Sequence, residues 1–160
     1  MTYIRDIQFK TSLESSEIKL STPSSTSING VFSLSGTPSS NSTISGSTLV
    51  LSAGYHFYIE GSILVQNSAT NGTIEWGFYD QSAYVGQTGF MNLNGDFGTN
   101  ARVGRRCCRA LILNTGSDQT IDCRIKSISG SSWNMTITAN GISSFNYVGY
   151  PSLRIIELPA

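Results

Sequence analysis

Gly54–Asn67, GYHFYIEGSILVQN, is the longest apolar run in the chain, and it alternates. Tyr55, Phe57, Ile59, Ile63 and Val65 fall on one side of an extended backbone, with Gly61 in step. His56, Tyr58, Glu60, Ser62 and Gln66 fall on the other, joined by Leu64. Successive side chains of a strand point to opposite faces, so this pattern makes one buried face and one mostly wet face. A helix would scatter the same residues around its circumference. Aromatic and β-branched residues also suit a pleated, half-buried surface. The stretch reads as a central strand of an all-β sandwich.

Working outward, the neighbours repeat the pattern. Ser68–Gly72 ends in Asn-Gly, a strong turn signal. Thr73–Gln81 then places Ile74, Trp76 and Phe78 on one face, and Ala83–Val85 reads as an extension of this strand past a bend. On the other side, Ile28–Leu34 is a strand candidate, Gly36–Gly46 a polar loop holding a weak strand, and Thr48–Leu51 leads into the turn at Ser52–Gly54.

Further along, Gly86–Asn100 is rich in Gly and Asn and reads as a long loop whose Phe90, Met91, Leu93 and Phe97 need burial. Arg105–Asn114 puts Cys108, Ala110 and Ile112 on one face, Leu111 and Leu113 on the other. Thr120–Ile128 places Ile121, Cys123 and Ile125 inward, with Asp122, Arg124 and Lys126 outward. Trp133, Met135, Ile137 and Ala139 alternate in turn, Gly141–Gly149 is loop, and Ser152–Leu158 forms a last strand. Short strands between turn signals, with no helical period, indicate a sandwich or barrel. About eight to ten strands favour a jelly roll.

The 160 residues fit one domain, with a polar N-terminal arm over 1–27 and the sandwich over 28–160. Within the arm, Ile18-Lys19-Leu20 is a short strand candidate. A domain of this size buries roughly 70% of its unfolded surface and folds without staples. Ten basic and ten acidic residues balance to a formal charge of zero, which argues against a nucleic-acid binder. Only 12% of residues are charged, so little keeps copies apart, and much of the surface is expected to lie in an assembly.

The N-terminal MTYIRDIQFK carries Arg5, Asp6 and Lys10 and has no apolar core of a secretion signal. No run approaches the roughly 18 apolar residues of a membrane span. Cys107, Cys108 and Cys123 are odd in number and include an adjacent pair, so they match neither a disulfide framework nor a zinc site. Reduced thiols in a chain made in the cytosol are expected. The N-x-S/T triplets at Asn41, Asn71 and Asn134 are chance matches in a Ser/Thr-rich chain.

Residues able to carry chemistry are few. His56 is the single histidine, and no G-x-S-x-G elbow accompanies it, so it reads as a surface or interface residue. Glu60 and Glu75 lie on consecutive strands; paired carboxylates can serve as a glycosidase dyad, but two surface glutamates on strands are commonplace. No phosphate loop, dinucleotide fingerprint or metal cluster is present, and Asp96 and Asp118 are isolated, so no catalytic residue, cofactor or metal is expected.

Two groups stand out as partner-binding candidates. Arg102, Arg105, Arg106 and Arg109 concentrate positive charge, with Arg105 and Arg109 on one strand face and Arg106 on the other. They read either as a patch meeting an acidic partner or as a solvated strand edge. Phe145, Tyr147 and Tyr150 cluster before the last strand, where they serve the core or a subunit interface. Tyr58, Tyr79 and Tyr84 are expected to leave the core.

The order of these parts resembles a known family. Gly54-Tyr55 opens a long alternating strand; an Asn-Gly turn and an amphipathic strand follow; the Thr120–Ile128 strand, a Trp/Met/Ile strand and the terminal SLRIIEL complete it. Over roughly Ile28–Leu158 this is similar to tumour-necrosis-factor-like and complement-globular-head jelly rolls, above all to phage virion decoration proteins and bacterial spore-surface heads. The resemblance implies a ten-stranded jelly roll, a tight homotrimer and termini near its base. It departs from collagen-tipped heads in lacking a Gly-X-Y stalk. With the low charge and polar arm, it points to a trimeric capsid decoration protein that contacts the major capsid protein of a virion and reaches capsomers through its arm. The alternative is the head of a tail fibre or spike that binds surface glycans through Gly86–Asn100.

Overall fold

The computed structural model describes residues 15–21, 30–67, 72–93, 102–113, 116–130, 133–134 and 152–158, with side chains described over 30–63, 72–92, 107–113, 116–130 and 152–158. Every regular element among them is a strand: β1 (Ser15–Ser21), β2 (Ser33–Gly36), β3 (Ser42–Ser45), β4 (Thr48–Leu51), β5 (His56–Asn67), β6 (Gly72–Tyr79), β7 (Tyr84–Leu93), β8 (Arg102–Leu113), β9 (Gln119–Ser129), β10 (Trp133–Asn134) and β11 (Ser152–Leu158).

They form one antiparallel sheet that curls onto itself as a jelly-roll sandwich, in the order β2-β1-β11-β5-β8-β7-β6-β9-β4-β3. The first layer is β2-β1-β11-β5-β8, with β10 on the far end of β5. The second is β7-β6-β9-β4-β3. They are joined by one pair, Gln87↔Arg109. Gly86 sits at that junction at φ +75°, and a Cβ there would fall 2.1 Å from the Arg109 carbonyl oxygen. Only glycine tolerates both the left-handed backbone and the close approach.

From His56 the opening strand behaves as its alternation demands, while Tyr55, expected on the buried side, precedes the strand and is exposed. Phe57, Ile59, Gly61 and Ile63 are buried, while His56, Tyr58, Glu60 and Ser62 lie half-buried on the outer face. β5 pairs with β8 over its whole length, from His56↔Leu113 to Asn67↔Arg102, and with β11 from His56↔Leu158 to Ser62↔Ser152. Ile74, Trp76 and Phe78 of β6, and Ile121, Cys123 and Ile125 of β9, close the core from the second layer. Trp76 sits at its centre with 0% exposure and its ring 5.7 Å from that of Phe32. The indole lies against two glycines. A Cβ on Gly61 of the first layer would fall 2.9 Å from the ring, and one on Gly89, its cross-strand partner in β7, would fall 2.2 Å from Nε1.

Several expectations change. Gly86–Leu93 is no loop but most of β7, running back along β6; Met91 is buried and Phe90 exposed. Residues 94–100 of that expected loop lie outside the described residues. Ala83–Val85 does not extend β6, because Asp80 turns the chain there. Its Oδ1 accepts the amides of Ser82 (2.9 Å) and Ala83 (2.8 Å) and the Ser82 hydroxyl (2.7 Å).

Part of the expected arm belongs to the sandwich: Ser15–Ser21 is β1, between β2 and β11, and contains the strand anticipated at Ile18–Leu20. Residues 1–14 and 22–29 lie outside the described residues. The strand anticipated over Ile28–Leu34 is divided. Gly30–Phe32 lies beside β9 (Ile125 N to Gly30 O, 2.9 Å; Phe32 N to Cys123 O, 2.9 Å), after which β2 crosses to β1. The weak strand within Gly36–Gly46 is β3. The alternation read at Met135–Ala139 lies outside the described residues.

The glycine slot for Trp76 yields a test. Gly89→Ala should lower stability by roughly 1–3 kcal/mol, as inserted atoms do in a filled core. In a Trp76→Phe background the added cost should shrink, since contacting residues couple. Urea unfolding of the four chains measures the coupling, and strict additivity would contradict the slot.

Candidate interaction surface

The two outer faces differ. On the second layer, Asp122 of β9 points outward but is only 4% exposed, because neighbours cover it. Arg124 donates from Nε to its Oδ1 (2.6 Å) and from a terminal nitrogen to Oδ2, and Gln81 donates from Nε2 to Oδ2 (3.1 Å). Gln81 holds φ at +75°, the only non-glycine among the described residues at positive φ. The Arg124 guanidinium lies 4.0 Å over the Tyr79 ring, and Tyr79 meets Tyr84 edge-on at 5.3 Å.

Hydrogen bonding to Asp122 pushes the Arg124 pKa up, so the cation is fixed. Burial pushes Tyr84 up to about 12, and its hydroxyl donates to the Ile125 carbonyl at 3.0 Å. Further along, Glu75 accepts the Thr88 hydroxyl (2.6 Å) and Lys126 Nζ (2.9 Å). Those two hydrogen bonds, Thr88 first, hold its carboxyl below the usual range. The charges of this face are neutralised within the face.

The outer face of the first layer is arranged in rows across β11, β5 and β8. Register aligns Leu158, His56 and Leu113 in one row and Ile156, Tyr58 and Leu111 in the next. Then come Arg154, Glu60 and Arg109, followed by Ser152, Ser62 and Cys107. Leu111 and Leu113 are 56% and 62% exposed. Directly opposed residues on neighbouring strands have Cβ atoms about 5 Å apart, so the first two rows form one contiguous patch. Glu60 takes the Arg109 Nε at 3.0 Å and the Tyr58 hydroxyl at 3.2 Å. Burial, and then that bond to Glu60, raise the Tyr58 pKa.

Of the residues singled out in the sequence, Arg102, Arg105, Arg106 and Arg109 all lie on β8. Arg109 flanks the apolar rows and ion-pairs with Glu60. Arg105 shares its register phase, and Arg102 and Arg106 take the phase of Cys108. At Arg109 the strand is no free edge, since β5 pairs on one side and β7 on the other. Phe145, Tyr147 and Tyr150 lie outside the described residues. Tyr58, Tyr79 and Tyr84 do leave the core.

Glu60 and Glu75 form no dyad: they occupy outer faces of opposite layers, with Ile59, Gly61, Ile74 and Trp76 between them. Among the described residues no three His, Cys, Asp or Glu side chains converge as metal ligands would. The cysteines are free; burial, then the neighbouring Cys108, pushes the Cys123 thiol up. Sequence reasoning puts Leu111 and Leu113 on one strand face but not in a partner site, and it does not single out Ile156 or Leu158. The signal available was the end of β8, apolar in both phases from Ala110 to Leu113, as strands covered on both faces are.

Comparison with solved structures agrees with this topology. The crystal structure of murine APRIL at pH 5.0 matches with a TM-score of 0.56 at 10% identity, covering 91% of this chain and 100% of that one. The structure of murine APRIL at pH 8.0 gives 0.45 at 8% identity over the same shares. No family model matches the sequence, and neither does any curated protein. The strand order and the first of these likenesses make the fold a tumour-necrosis-factor-like jelly roll.

Two tests follow from the second layer. Asp122→Ala should cost roughly 3 kcal/mol, because removing one partner leaves Arg124 largely covered and unpaired; thermal unfolding reads this directly. For Glu75, the folded pKa lies below its ordinary value of 4.5, so its contribution is present above that value and lost as pH falls through the folded one. Glu75→Gln should therefore flatten the acid limb of a urea-midpoint profile, by about 1 kcal/mol at most for so accessible a pair.

Proposed function

We propose that this chain is a structural, non-enzymatic protein that forms a homotrimer through the outer face of its first layer. In this reading the trimer decorates a phage capsid, bridging neighbouring copies of the major capsid protein. The observation that carries the reading is the patch of Leu111, Leu113, Ile156, Leu158, Tyr58 and His56 on a sheet face. Contiguous apolar surface of this kind marks an interaction site. In its charged row Glu60 is paired with Arg109 and Arg154 is the one further charge, so a covering surface need supply few counter-charges.

The low charge of the chain supports the same conclusion, since few copies of it repel one another. The choice of trimer, and of a virion shell as the larger partner, draws on the jelly-roll fold and on the resemblance read in the sequence.

Sedimentation at micromolar concentration should show a species three times the chain mass. Leu111→Asp with Leu113→Asp should convert it to a folded monomer and reduce co-sedimentation with capsids. A wild-type chain that sediments as a monomer overturns the association. A trimer that ignores capsids overturns the decoration role alone.

A further inference from the structure

We propose that His56 makes the self-association of this chain pH-dependent, the apolar face losing its partners as the imidazole takes up a proton. The inference rests on the association proposed above. His56 opens β5, with Leu158 of β11 directly opposite on one side and Leu113 of β8 on the other. The next row holds Ile156, Tyr58 and Leu111. The imidazole thus occupies the middle of the apolar patch. Its Nδ1 is buried and has no hydrogen-bond partner among the described residues.

Among the described residues no carboxylate meets the buried Nδ1. Glu60 lies two rows away on the same strand and is engaged by Arg109 and Tyr58. On β11, Arg154 is in that same distant row, and Glu157 points to the opposite face, where its Oε1 accepts Asn41 Nδ2 at 2.8 Å. On β8 the ionisable groups in the outer phase are Arg105, Cys107 and Arg109, none in the first two rows. Asp118, near the same end of β5, accepts the Ala53 amide at 2.8 Å. Farther out, Glu17 and Lys19 of β1 register with Arg154 and Ser152, not with the His56 row. The uncharged imidazole can be covered by a second copy at modest cost. The imidazolium, with leucines on both sides, cannot be covered without losing its hydration.

The direction follows from linkage. A histidine ordinarily takes up its proton near pH ~6.5. Covering an imidazole in the associated state disfavours its protonated form, so association is favoured at higher pH and weakens as pH falls. Each covered histidine contributes up to about tenfold in the association constant per pH unit, so three in a trimer contribute up to about a thousandfold.

Sedimentation equilibrium of the full chain at about pH 8 and about pH 5.5 brackets the ordinary histidine value. Both lie above the range in which surface carboxylates titrate. Wild type should be trimeric at the higher pH and largely dissociated at the lower, at concentrations near the dissociation midpoint. His56→Phe should stay associated at both. His56→Gln, polar but without a proton to gain, should associate to a pH-independent extent, and far-UV circular dichroism checks that each variant is folded. Wild type that is monomeric at about pH 8 overturns the association itself. Wild type that is equally trimeric at both values, or a His56→Phe variant that dissociates in parallel with it, overturns the role of His56 and leaves the association standing.

Discussion

The sandwich depends on one steric constraint, the room made for Trp76. Its indole belongs to the second layer yet sets its Cη2–Cζ3 edge against Gly61 of the first, and its Nε1 edge lies against Gly89 of the neighbouring strand. A side chain at either glycine would hold the layers or the strands apart. Interiors are packed as densely as organic crystals, so an indole of this size sets the spacing of everything around it. Phe32, arriving from the segment beside β9, leans on the same ring at a 58° interplanar angle. The β5–β8 pair, and therefore the outer face it carries, is positioned by what Trp76 allows beneath it.

That dependence explains what the sequence discloses and what it hides. Alternation over Phe57–Ile63 and Ile121–Ile125 is legible because burial on one face is written locally, every second residue. β7 is hidden because its sequence answers to distant neighbours. Gly86 yields to the backbone of Arg109 and Ala110, and Gly89 yields to Trp76. Read alone, the two glycines look like loop chemistry; in the fold they mark close approach. β1 is hidden for another reason: SSEIKLS has only two apolar residues, and its place comes from pairing with β11 and β2. The candidate surface was half legible. The outward phase of Leu111 and Leu113 is plain in the sequence, but the cross-strand register that sets Ile156, Leu158 and His56 beside them is not.

The contrast between the outer faces is one of completion. On the second layer a carboxylate points away from the core and is nevertheless covered, because Arg124, Gln81 and the Tyr79–Tyr84 pair close over it. A non-glycine residue at positive φ costs of order 1 kcal/mol or more, and here it is held by a tightly bonded Asp80 turn and a bond to Asp122. Such a face has little left to offer a partner. The first layer is the reverse: Glu60 is engaged by Arg109 and Tyr58 at one end, and the apolar rows are left open at the other.

Magnitudes limit how strongly that open end can drive association. Burying a leucine is worth about 1.5–3 kcal/mol, so the exposed fractions of Leu111 and Leu113 represent roughly 1–2 kcal/mol each. Six such leucines in a trimer amount to about 6–12 kcal/mol. Each of the two joining steps loses an estimated 4–15 kcal/mol of translational and rotational freedom. The leucines alone meet only the low end of that cost, and covering the half-buried Ile156, Leu158, Tyr58 and His56 adds what the rest of the range demands. Association so balanced is concentration-dependent. It is also sensitive to any single group whose burial changes from cheap to costly, and within these two rows the imidazole is the group whose charge can change near neutral pH.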